Sequence, residues 1–146
     1  MNDERKAKKL KYLFFHCGGY FETNELIMLI INYGCLSIDC YLFSHEHPRE
    51  TIPHFHADWA KERSKRWLFK IEQTHFELWE DKYWADVYDG EQWKLRFQFE
   101  GESERIIFGS NAYPETWPQF IELMTTIARK LRRVEDAEIH EILGSL

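Results

Sequence analysis

Glu91-Gln92-Trp93-Lys94-Leu95-Arg96-Phe97-Gln98-Phe99-Glu100 alternates without a break. Trp93, Leu95, Phe97 and Phe99 point one way, and Gln92, Lys94, Arg96, Gln98 and Glu100 point the other. A period of two sends successive side chains to opposite faces of a strand, so this stretch belongs to a sheet with one dry face and either water or a partner on the second. Asp89-Gly90 ahead of it is a tight-hairpin signal, which pairs residues 84–88 with 91–100. Working outward, residues 12–17 read as an aromatic strand ended by Gly18-Gly19. Residues 26–32 and 35–43 flank Asn32-Tyr33-Gly34, and so short a gap favours an antiparallel hairpin with Leu36, Ile38, Cys40 and Leu42 on one face. Further strands are expected near 55–59, at 105–108, and at 67–72, where Trp67, Phe69 and Ile71 alternate with Leu68, Lys70 and Glu72 and residues 76–79 can pair.

One long helix follows. Thr116-Trp117-Pro118-Gln119 has the form of a capping box, with proline in the first turn where its missing N–H does no harm. Phe120, Met124, Ile127, Leu131 and Val134 recur at helical spacing, widened by Trp117, Ile121 and Ala128. Asp136 is a second cap, for a short last helix through Leu143 that stops at Gly144. The 146 residues, 44% of them apolar, suffice for one core. The expected fold is a single α+β domain over residues 11–146, after a flexible polar lead at 1–10. Its antiparallel sheet has six to eight strands, and the long C-terminal helix packs on one face.

Charge and cysteine content narrow the class. With 19 Lys and Arg against 25 Asp and Glu, the chain carries a formal −6, which argues against a dedicated basic nucleic-acid binder. Cys17, Cys35 and Cys40 form no CxxC pair, and their odd number fits a reducing compartment. The charged N-terminus lacks a secretory signal and the longest apolar run, residues 26–31, is too short to span a bilayer, so a cytoplasmic location without a membrane partner is expected.

Chemistry concentrates in residues 44–58. Four of the seven histidines fall within twelve residues. His54 and His56, two apart on an extended strand, project to the same side and can reach one ion. Asp58 continues that face, and His45 or His47 can complete a shell with an open position for an activated water. A divalent metal is thus the one cofactor these residues suggest, and metal-dependent hydrolysis its chemistry. The alternative is that His54 and His56 are wet-face residues of a short strand, or satisfy backbone groups of a proline-rich loop. No HExxH motif, nucleophile elbow at Gly109-Ser110-Asn111, or phosphate loop after Gly18-Gly19 is present. No catalytic residue is assigned, and whether the chain is an enzyme stays open.

Pro53-His54-Phe55-His56-Ala57, preceded by His45 and His47-Pro48, resembles the core of a family of small uncharacterised prokaryotic proteins. Its signature is a Pro-Pro-His-Phe-His segment after a strand and a short His/Asn-Pro loop. Ile52 stands where that family has its first proline, and residues 49–51 lengthen the loop. The match covers about 30 of the 146 residues. Members often lie near toxin and antitoxin genes, so the resemblance implies a regulatory or interaction role and His54, Phe55 and His56 as the shared core.

Two surfaces suit partners. Residues 72–104 hold ten acidic and three basic side chains, and Trp79, Tyr83, Trp84 and Tyr88 flank turns there, an acidic aromatic surface for a protein partner of basic charge. Lys61, Arg63, Lys65 and Arg66, expected in a turn, and Arg129, Lys130, Arg132 and Arg133, at the end of the long helix, would form a phosphate or single-stranded nucleic-acid contact if adjacent. A non-enzymatic interaction or regulatory protein leads these expectations, ahead of the metal-binding domain and the phosphate contact.

Overall fold

The computed structural model describes residues 8–19, 25–43, 54–86 and 90–144, the side chains of 19, 43 and 133–144 apart. Among them, seven strands form one sheet: β1 (Leu10–Gly19), β2 (Glu25–Asn32), β3 (Leu36–Phe43), β4 (His54–Asp58), β5 (Lys82–Trp84), β6 (Glu91–Phe99) and β7 (Arg105–Ser110). Their order is β4-β3-β2-β1-β6-β7-β5, antiparallel throughout except for the parallel pair β5–β7. Helices α1 (Lys61–Glu72) and α2 (Trp117–Gly144) complete the α+β fold.

The alternation in β6 holds, with Trp93, Leu95, Phe97 and Phe99 all buried. The hairpin expected from Asp89-Gly90 does not. Strand β6 is paired on both edges, by β1 and by β7, so no edge remains for residues 84–88. Instead Lys82–Trp84 pairs with the outer edge of β7, Lys82 opposite Phe108. Residues 87–89 lie outside the described part of the chain. The β2–β3 hairpin forms as read, its turn allowed by Gly34 at φ 95°, a conformation that side-chain-bearing residues avoid.

Residues 61–72, read partly as a turn and partly as a strand, are helix α1. Two periods competed there: Trp67, Phe69 and Ile71 alternate, but Ser64, Trp67 and Ile71 also share one helical face. The helical face wins, leaving Phe69 60% exposed. Ser64 anchors the helix, its buried hydroxyl accepting the Leu36 N–H at 2.8 Å and donating to the Trp59 carbonyl at 3.1 Å. Residues 76–78 are a 3-10 turn, not a strand, and Arg105 pins them with bonds to the Glu77 and Trp79 carbonyls at 2.7 and 2.8 Å. Helix α2 runs unbroken to Gly144, with no second start at Asp136, because no proline or glycine interrupts it after Pro118.

One core lies between the sheet and the two helices. Phe120, Met124, Ile127, Ala128 and Leu131 face it from α2. At its centre Phe120 meets Phe15, Trp79 and Phe76 edge-on at 5.1, 5.1 and 6.2 Å, while Trp117 packs on Trp93 at 4.7 Å. The Thr116 hydroxyl, read from sequence as the helix cap, accepts the Trp79 indole N–H at 2.8 Å. Gly109 passes directly beneath the Trp93 indole, whose N–H is held by the Ala112 carbonyl at 3.0 Å. A methyl group there would strike a ring that cannot retreat. Gly109→Ala is therefore expected to lower stability by about 1–3 kcal/mol, measured by urea unfolding followed through tryptophan fluorescence; an unchanged midpoint would show that Trp93 has room to move.

Candidate functional site

The face of the sheet turned away from the helices carries the chemistry. Pairing of β3 with β4 sets Asp39 opposite His56 and Tyr41 opposite His54. His54 Nε2 lies 2.8 Å and His56 Nδ1 2.9 Å from the same Asp39 oxygen, and His56 Nε2 lies 2.9 Å from Asp58 Oδ2. The His54 ring stacks on Tyr41 at 4.4 Å. Carboxylates only accept, so both contacts of His56 are hydrogen bonds at once only when each ring nitrogen carries a proton. Hydrogen bonds to Asp58 and then Asp39 raise its pKa above the usual 6.5. Burial alone would raise Asp39, but the bonds from His54 and His56 outweigh it and hold its carboxyl below the ordinary range. Asp58 is likewise held low, by His56 and Ser37.

His54, His56 and Asp58 lie side by side, linked by hydrogen bonds in a chain that Asp39 closes. A metal requires imidazole lone pairs, so it would take up a ring nitrogen in place of one of these hydrogen bonds. Among the described residues, no group of three or more His, Cys, Asp or Glu side chains is arranged to hold a metal ion. His45 and His47 lie outside those residues. Asp39 was missed, although Ser37, Asp39 and Tyr41 alternate with the buried Leu36, Ile38 and Cys40 and so had to share the wet face.

Beyond the cluster the same face turns apolar. Tyr12 and Phe14 of β1 and Ile27, Leu29 and Ile31 of β2 are half-buried on it. Ile106 and Phe108 of β7 are exposed, and Trp84 is 65% exposed. Cations lie over these rings: Lys94 on Phe108 at 5.5 Å, Arg96 on Phe14 at 6.0 Å and Lys82 on Trp84 at 5.4 Å. Arg96 Nε is 3.5 Å from Glu104 Oε1, an ion pair without a hydrogen bond. A hollow of about 670 Å³ opens between His16, Glu25, Lys82, Trp84, Lys94 and Phe108. The signal for this second apolar face was the unbroken run 26–31, since a strand wet on one side alternates and one buried on both does not.

The four proposed protein-contact aromatics separate. Trp79 is buried among Trp93, Trp117 and Phe120, so it is a core residue. Tyr83 is half-buried, its hydroxyl accepting the Glu80 N–H at 2.9 Å. Trp84 is exposed, and Tyr88 lies outside the described residues. On the opposite side of the sheet, α1 and α2 each bring a lysine to Trp67. Lys70 of α1 and Lys130 of α2 both lie over Trp67, at 4.3 and 5.6 Å, and Arg63 lies over Trp59 at 4.4 Å. Lys61, Lys65, Arg66, Arg129 and Arg132 are exposed on the same helices, Lys65 4.0 Å from Glu62; the side chain of Arg133 is outside the described part. Cys17 and Cys40 are buried thiols, and burial pushes the latter up to about 12. No described helix is long and apolar enough to cross a membrane.

Compared with known proteins, the chain matches no protein-family model and no curated protein.

The cluster makes stability depend on pH in two directions. His56, raised in the folded state, contributes fully below its unfolded value of 6.5 and loses that contribution as pH climbs through the folded pKa. Asp39, lowered, contributes above 3.8 and loses it as pH falls through the folded pKa. The melting-temperature gap between wild type and His56→Gln is therefore expected to be widest between 3.8 and 6.5 and to close on either side, checked by thermal scans across that range. The gap is small because the ring is 44% exposed; a gap independent of pH would refute the raised His56 pKa.

Proposed function

We propose that this chain is a non-enzymatic binding protein whose docking surface is the uncovered face of its sheet. One observation carries this: β1 and β2, at the centre of the sheet, bear apolar side chains on both faces, yet among the described residues the helices cover only one. Strands built this way are buried on both sides in their working state. An apolar centre of Tyr12, Phe14, Ile27, Leu29 and Ile31 ringed by charged and polar groups has the composition of a protein–protein contact. The His–Asp cluster forms part of that ring, and Trp84, not Trp79, is the aromatic anchor that the acidic segment offers. A regulatory role, as the sequence resemblance implies, is compatible with binding of this kind.

Leu29→Lys tests the assignment, because it places a charge in the apolar centre while its neighbour Asp39 accommodates that charge in the free protein. Tagged wild-type protein is expected to retain a partner in stoichiometric amount, either another polypeptide or an untagged copy of itself. Leu29→Lys is expected to lose it with an unchanged melting temperature. Full retention by the variant would overturn the reading.

A second reading rests on its own observation, the convergence of Lys70 and Lys130 on Trp67. That convergence supports a phosphate or single-stranded nucleic-acid contact on the helical side, where it would not compete with the sheet face. Removing both charges in Lys70→Gln/Lys130→Gln is expected to weaken binding to a labelled single strand and to flatten the log-affinity against log-salt slope by about 1.4. An unchanged slope would eliminate this contact.

A further inference from the structure

The occupant of the sheet face can be argued from its charge pattern, taking as given the proposed reading that this face is a docking surface. Cross-strand pairing arranges its side chains in rows. One row reads Asp39, Leu29, Phe14, Arg96 across β3, β2, β1 and β6. The next reads Tyr41, Ile27, His16, Lys94, Phe108 and continues onto β7. A third reads Ser37, Ile31, Tyr12, Gln98. In each the middle is apolar or aromatic. The β3–β4 end carries the carboxylates of Asp39 and Asp58 around His56, while the β6–β7–β5 end carries three cations, Arg96, Lys94 and Lys82, against one carboxylate, Glu104 beside Arg96. The face is therefore polar in one direction, perpendicular to the strands.

Such a pattern complements itself under one rotation. A two-fold axis lying in the contact plane, parallel to the strands and midway between β1 and β2, exchanges β1 with β2, β6 with β3 and β7 with β4 of a second copy. Within the first row Phe14 then meets Leu29, and Arg96 meets Asp39. In the second, His16 meets Ile27, Lys94 meets Tyr41, and Phe108 meets His54. In the third, Tyr12 meets Ile31, and Gln98 meets Ser37. Every apolar centre falls on an apolar or aromatic partner, and the guanidinium, which in the free chain lies 3.5 Å from Glu104 without a hydrogen bond, falls on the Asp39 carboxylate, twice over because the contact is isologous. A rotation about the perpendicular in-plane axis would set acid over acid and base over base. The strands outline a face on the order of 700–800 Å², near the roughly 800 Å² per partner that a stable contact buries, and two sheets stacked in this way form a sandwich about 10 Å apart.

We propose that two copies of this chain pair through their uncovered sheet faces about this axis, making a sandwich with the helices outside and Arg96 of each copy on Asp39 of the other. Light scattering of untagged protein across a dilution series from micromolar to millimolar is expected to give the mass of two chains. Leu29→Lys is expected to give one chain with an unchanged circular dichroism spectrum. Asp39→Arg and Arg96→Asp, each alone, are expected to weaken pairing by about tenfold or more. Mixed in equal amounts they should restore it, because each heterologous pair then regains two opposite-charge contacts. Recovery in the mixture is something that a merely structural role for either residue would not produce. A single-chain mass for wild type at all concentrations overturns the pair; if Leu29→Lys still loses a different captured polypeptide, the docking surface itself stands. A two-chain mass that survives Leu29→Lys places the seam elsewhere and overturns this inference. A mixture no tighter than its components overturns the axis and the Arg96–Asp39 contact.

Discussion

The packing of Trp117 and Phe120 of α2 onto Phe15 and Trp93 is the contact on which the rest of the structure depends. It joins the start of the longer described helix to the two most extensively paired strands. Around it Phe76 meets Phe97 and Trp79 meets Trp93 edge-on, an arrangement worth about 0.5–1.5 kcal/mol per pair beyond the area buried. Because it gathers so much aromatic surface on one side, α2 and α1 are both drawn to that side and none of the described elements crosses to the other. The one-sidedness of the fold follows from where the tryptophans sit: five of six are buried in this layer, and Trp84 alone is exposed.

The edges of the sheet are closed by other means. Strand β4 has five residues and carries His54, His56 and Asp58, and β5 has three. Short, charged edge strands discourage growth in the hydrogen-bonding direction. Stacking in the perpendicular direction meets no such obstacle at the middle of the uncovered face, where Phe14 and Leu29 lie side by side. An exposed apolar patch rimmed by polar groups is the kind of surface that marks a contact site, and here it lies on the face of the sheet and not along its edges.

Sequence periodicity disclosed what depends on one chain segment and concealed what depends on two. The alternation in residues 91–99 and the helical spacing of Phe120, Met124, Ile127 and Leu131 are local properties, and both appear in the fold as read. Residues 67–71 satisfy a strand period and a helix period at once, and only the docking of Ser64 against Leu36 decides between them. The turn chemistry of Asp89-Gly90 was overridden because both edges of β6 were taken by more apolar strands. In the site, His54, His56 and Asp58 were legible through parity along one strand. Asp39 was not, since its place opposite His56 comes from β3–β4 pairing across a connection whose length gives no register. The convergence of Lys70 and Lys130 on Trp67 likewise required two helices to be placed.

Charge completes the account of how the two sides of the molecule differ. On the helical side, Lys70 and Lys130 lie over a buried indole at positions where solvent still reaches them, so their charge stays hydrated at that surface. On the sheet side, Lys94, Arg96 and Lys82 rest against rings at one end while two carboxylates hold the His56 ring at the other. Cations laid on aromatic faces have already exchanged part of their hydration for the ring, and carboxylates already bonded to imidazoles have done the same. The desolvation that ordinarily opposes burial of charged groups at a contact is therefore reduced in the free chain. A face prepared in this way favours an apolar centre with opposite charges at its two ends, and the rotation that brings Asp39 onto Arg96 supplies both from the same sequence.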